Sequence, residues 1–105
     1  MSAVFYEVTL HVQAGIAGEY AAWLRAHVDE MLALPGFLDA DVARQAEPAP
    51  AAGEVVFCCR YRLVDADALQ AYLREHAPRM RADGVARFGD GFRASRRVLE
   101  ALPGY

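Results

Sequence analysis

The residues that could do chemistry in this chain of 105 amino acids are its three histidines, a strand carboxylate and a few arginines. An imidazole titrates near neutral pH, so it can move a proton or hold a ligand. His27 and His76 recur in one local setting, Trp23-Leu24-Arg25-Ala26-His27 and Tyr72-Leu73-Arg74-Glu75-His76. Each histidine follows an aromatic ring by one helical turn, which makes Trp23, His27, Tyr72 and His76 candidates to line a ligand pocket. The competing explanation is packing: each histidine sits at the edge of an apolar stripe, and a repeat that preserves packing reproduces a packing residue. Glu7 and His11 share one face of a strand, and Arg60 falls on the matching face of a later one. There the carboxylate could be a base, the imidazole an acid or base, and the arginine an anchor for an anionic ligand. Cross-strand charge pairing on a half-exposed face accounts for the same residues, at about 0.2–1 kcal/mol per pair.

The C-terminal segment holds the one basic cluster, in which Arg93, Arg96 and Arg97 are candidates to bind a phosphate or carboxylate. A solvated strand edge is the alternative. No H-x-x-x-H, H-x-x-E-H or cysteine cluster is present, so no metal site is expected. Neither a P-loop nor a G-x-G-x-x-G run occurs, and no cofactor is expected. Cys58 and Cys59 are adjacent in a strand pattern, so they point to opposite faces and make a poor disulfide.

The composition narrows the partners. Hydrophobic residues make up 55% and charged residues 24%, a globular balance. All eleven basic residues are arginine, which reads as codon bias of a GC-rich genome and carries no functional weight. A net charge of -3 gives no pull toward nucleic acid. Uncharged stretches are too short to span a membrane, and Met1 to Val8 carries Glu7 where a signal peptide would be apolar. The expectation is a cytoplasmic protein with no nucleic-acid or membrane partner.

The elements that must position these residues follow from periodicity. Val4 to Val12 alternates as a strand, with Val4, Tyr6, Val8, Leu10 and Val12 on one face and Phe5, Glu7, Thr9 and His11 on the other. From Ile16 to Leu34 the period becomes helical, and Leu34-Pro35-Gly36 stops it. Phe37 to Arg44 is a second strand, and Glu54 to Val64 a third. Residues 45–53, rich in alanine and proline, form a flexible loop between them. Asp67 and Gln70 suggest a capping box for the next helix, which should kink near Ala77 ahead of Pro78 and end at Gly84. Arg87 to Phe92 reads as a turn-rich bridge and Arg93 to Leu99 as a final strand.

Strand, helix, strand, strand, helix, strand is the ferredoxin-like arrangement, an α+β fold with a four-stranded antiparallel sheet and two helices on one face. Residues 1–105 make a single such domain. At one constant offset Trp23-Leu24-Arg25 meets Tyr72-Leu73-Arg74, His27 meets His76 and Met31 meets Met80, as the pseudo-two-fold of a doubled βαβ unit requires. The sheet's second face is too polar for a dry core and too apolar for a solvated surface, so it is either a dimer interface or a pocket wall closed by a partner subunit.

Tyr6-Glu7-Val8, the Trp23 to His27 segment with Leu34-Pro35-Gly36-Phe37, Tyr72 to Pro78, and the ending Phe92 to Leu99 together resemble a family of short bacterial proteins of unknown function in the dimeric α/β-barrel superfamily. The resemblance covers nearly the whole chain. It implies two ferredoxin-like sheets paired into a barrel, hence a homodimer. The superfamily includes cofactor-independent monooxygenases, haem-degrading enzymes, muconolactone isomerases and ligand-sensing domains. None of their catalytic motifs transfers residue by residue. Two functions compete: a homodimer that binds a small metabolite, with enzymatic activity open, and a non-catalytic structural or protein-interaction module.

Overall fold

The computed structural model describes residues 2–105. Strand β1 (Val4–Gln13) and strand β3 (Glu54–Leu63) form its centre, paired antiparallel from Val4–Leu63 to Gln13–Glu54. Strand β4 (Phe92–Glu100) lies on the other side of β1, and strand β2 (Phe37–Arg44) on the other side of β3. The order β2-β3-β1-β4, all antiparallel, is that of a ferredoxin-like βαββαβ fold. Alternation decides which face is buried: Val4, Tyr6, Leu10 and Val12 are covered, whereas Phe5, Glu7, Thr9 and His11 are only half-buried.

Helix α1 (Ala17–Leu32) follows a 3₁₀ turn and buries Tyr20, Leu24, Val28 and Met31, spaced by three and four residues as one helical stripe. Its exit turns at Gly36, whose φ of 85° is left-handed. A Cβ there would also lie 2.5 Å from that of Ala68, so the turn needs glycine on both counts.

The second helical region is split into α2 (Ala66–Glu75) and α3 (Ala77–Phe88), so three helices rather than two pack on the sheet. The break falls at His76, and Pro78 starts α3 in the first turn, where its missing N–H costs nothing. Two local expectations are corrected. The cap of α2 is Asp65, whose Oδ1 accepts from the Ala68 N–H at 2.8 Å; Asp67 already lies in the first turn. Gly84 does not end the helix. It is buried in the middle of α3, where an added Cβ would lie 3.2 Å from both the Trp23 and Phe92 rings. Tertiary packing thus outweighs the roughly 1 kcal/mol helical penalty of glycine. Helix α3 therefore runs to Phe88, and the turn before β4 shrinks to Gly89-Asp90-Gly91. No helix among the described residues is long and apolar enough to cross a membrane.

Candidate functional site

A cavity of about 320 Å³ opens between the helix layer and the sheet. Strands β1 and β3 supply its floor through Tyr6, Val8, Leu10, Cys59 and Tyr61. Helix α1 gives Tyr20, Trp23, Leu24, His27 and Met31; α2 gives Tyr72. Helix α3 and strand β4 close it with Met80, Arg81, Gly84, Phe92 and Arg96. The size and the mix of apolar walls with a few polar groups are those of a small-molecule site.

Aromatic rings organise the walls. Tyr20 packs against Trp23, Phe88 and Phe92 at centroid distances of 5.4, 4.8 and 5.2 Å. Trp23 stacks on the His27 ring at 4.7 Å and 18°. Tyr6 meets Tyr72 edge-on at 5.8 Å. The small side of α3 at Gly84 is what lets Trp23 and Phe92 approach that helix.

Burial sets the protonation of the polar groups. It pushes the Tyr20 and Tyr61 phenols up, and the Tyr72 phenol to about 12, so all three keep their protons at neutral pH. Cys59 is raised by burial to about 12 and is an inert thiol there. His27 moves the other way: burial lowers it, against the opposing pull of Glu30 and Asp83, so its imidazole is neutral near pH 7. The cavity thus offers phenolic donors, one neutral imidazole and two guanidinium groups. Arg81 donates from Nη2 to the Tyr6 hydroxyl at 3.1 Å.

The residues singled out in the sequence divide between the two sheet faces. Trp23, His27 and Tyr72 line the cavity, and Arg96 borders it. Arg93 touches its rim, but the Arg93 guanidinium is bonded to Glu54, which the strand register places on the opposite face. His76 lies outside the lining: it forms the break between α2 and α3, with Nδ1 3.3 Å from Arg79 Nη2.

Glu7, His11, Arg60 and Arg97 are on the far face, away from the cavity. Each faces a charged neighbour there. Arg97 Nε donates to Glu7 at 2.7 Å and Arg60 Nη2 to Asp41 at 3.0 Å, while His11 Nδ1 stands 3.7 Å from Glu54. The arginine beside Glu54 and the one beside Asp39 hold those carboxyls below their usual range. Residues not singled out as candidates also build the site: Tyr6, Tyr20, Arg81 and Gly84. The signal for Arg81 and Gly84 was present in the spacing of Ala77, Met80, Arg81 and Gly84, which share a helical face.

The β2-β3-β1-β4 sheet with its helices on one face defines a ferredoxin-like fold, and solved structures of that fold superpose on nearly the whole chain. The family can also be stated: residues 3–102 match the model of a domain of unknown function, DUF4286, and the chain belongs to that family. Among solved structures the chain is similar to a variant of SnoaB, a cofactor-independent oxygenase from Streptomyces nogalater. The TM-score is 0.71 at 15% identity, covering 98% of this chain and 99% of that one. It is also similar to MhuD, a heme-degrader from Mycobacterium tuberculosis solved with two hemes in its active site. There the TM-score is 0.70 at 19% identity, over 97% of this chain and 98% of that one. A protein of unknown function from Nitrosomonas europaea gives a TM-score of 0.73 at 16% identity, over 100% and 94% of the two chains. At these identities the likeness is one of fold. No curated protein matches the sequence.

Proposed function

We propose that this protein is a cytoplasmic homodimer of the dimeric α/β-barrel type that binds a small metabolite in each subunit, between helices and sheet. The observation that carries this reading is the cavity of about 320 Å³, walled by aromatic rings and furnished with a neutral imidazole and phenolic donors. Such a site suits a flat, ring-bearing molecule, and His27 supplies a base that an enzyme acting on it would need.

The dimer is supported by the far face of the sheet. Strand register lines up Asp41, Arg60, Glu7 and Arg97 in one row across all four strands, with charges that alternate in sign. A two-fold axis along the strands sets each charge of such a row opposite its complement in a second copy. Two free cysteines fit a reducing compartment.

The test is native mass spectrometry of the protein purified from its own host, followed by release and weighing of any bound molecule. A dimer carrying one small molecule per subunit is the expected result. A ligand-free dimer removes the metabolite reading and favours an interaction module. A monomer at micromolar concentration removes the barrel.

A further inference from the structure

Six of the eleven arginines bear on the far face or the cavity, and they fall into two groups. On the far face, Arg60, Arg62, Arg93 and Arg97 are each bonded to a carboxylate, of Asp41, Asp39, Glu54 and Glu7 respectively. At the cavity, Arg81 on α3 and Arg96 on β4 have no carboxylate within salt-bridge distance among the described residues. Arg81 touches a neutral phenol, Tyr6. No aspartate or glutamate lines the cavity at all. Both residues are exposed and border the cavity, one on α3 and one on β4. Both also act on the Tyr72 phenol, where they oppose the upward push of burial. The site therefore carries two guanidinium groups that no carboxylate of the described residues bonds, above a floor of aromatic rings and aliphatic side chains; Glu30 and Asp83 act on His27 from outside the lining.

Resting on the small-molecule reading above, we infer that the ligand is a planar aromatic acid, with its ring among Tyr20, Trp23 and Tyr72 and its anionic group held between Arg81 and Arg96. A guanidinium presents paired N–H donors that match a carboxylate. An anion here completes the pairing that every far-face arginine already has. A cationic ligand would face two like charges, and a neutral one would leave both uncompensated.

The experiment follows Trp23, the single tryptophan, by fluorescence while the full-length protein is titrated with 2-naphthoate and, separately, with its neutral analogue 2-naphthamide. The expected result is that naphthoate binds about tenfold or more tightly, that added salt erodes the difference, and that Arg96→Gln and Arg81→Gln each reduce it. Arg25→Gln, an exposed site on α1 outside the lining, removes the same charge and keeps the preference. Equal binding of the two probes overturns the acid assignment and leaves the cavity as a binding site. A preference that survives replacement of both arginines overturns their role. Quenching by neither probe up to millimolar concentration overturns the acid and the binding reading together.

Discussion

The two faces of this sheet use the same residue type in opposite ways. On the far face arginine is a structural partner, set beside aspartate or glutamate one strand away, and the charges cancel in rows. On the helix side Arg81 and Arg96 stand at the rim of an aromatic cavity with no carboxylate bonded to them and none in the lining. The alternation of a strand is what permits this, since neighbouring residues such as Arg96 and Arg97 point to opposite faces. An arginine-rich tail is therefore not one basic patch. Arg93 and Arg97 hold the sheet's far side together, and Arg96 is left for the site.

The largest effect that separates the faces is on stability. Leu63 is fully buried on the helix side, and Leu63→Ala is expected to cost about 2–5 kcal/mol through lost burial and a cavity. Thr9→Ala, half-buried on the far face, should stay within about 0.5 kcal/mol in the free subunit. Urea titration of both variants measures the contrast; equal losses would show that the far face is as tightly packed as the core.

The next effect is on assembly. Glu7 is the most buried charge of the alternating row, with its side chain 14% exposed, and it sits between Arg60 and Arg97. Glu7→Gln leaves Arg97 without its carboxylate, while Arg60 keeps Asp41, and is expected to weaken the proposed dimer about tenfold, with ligand binding by the cavity retained. Sedimentation velocity across a dilution series checks this, and an unchanged dimer would remove the charge row from the interface.

The smallest effect is a pH dependence. The folded-state pKa of His27 is lowered by burial below its ordinary 6.5, so the unfolded chain takes up the proton first as pH falls. The stability His27 contributes is present in full above about pH 6.5 and is lost as pH falls toward its folded value. Urea midpoints at about pH 7.5 and 5.5 should therefore converge in His27→Gln relative to the unsubstituted protein. A slope that persists in that variant would show that His27 is not its source; the far-face carboxylates, depressed by their arginines, lose their contribution only below the ordinary carboxylate range, outside this window.

Much of the fold was legible in the chain. Strand alternation in Val4–Gln13 and Glu54–Leu63, the helical stripe of Tyr20, Leu24, Val28 and Met31, and the stop at Pro35-Gly36 are local signals, and each appears where its period placed it. The repeated aromatic–histidine pair was half informative. Trp23, His27 and Tyr72 reach the cavity, but His76 falls at the helix break that Pro78 imposes and turns toward Arg79. Gly84 was misleading alone, because a glycine chosen for the close approach of two rings has the same sequence signature as a helix end.

The sequence by itself determined the element order, the buried face of β1 and the grouping of charges by strand parity, because these depend on periods of 2 and 3.6 residues that any window reveals; β3 departs from its alternation at Val56, which is buried on the far face beside His11. It did not determine which sheet face holds the cavity. That depends on how far the split helices α2 and α3 stand from β1 and β4, and on which side chains fill the gap. The pairing of Glu7 with Arg97 and of Tyr6 with Arg81, and the absence of any acid from the cavity lining, arise between residues far apart in the chain, so only the tertiary structure decided which arginines bond a carboxylate and which face the cavity without one.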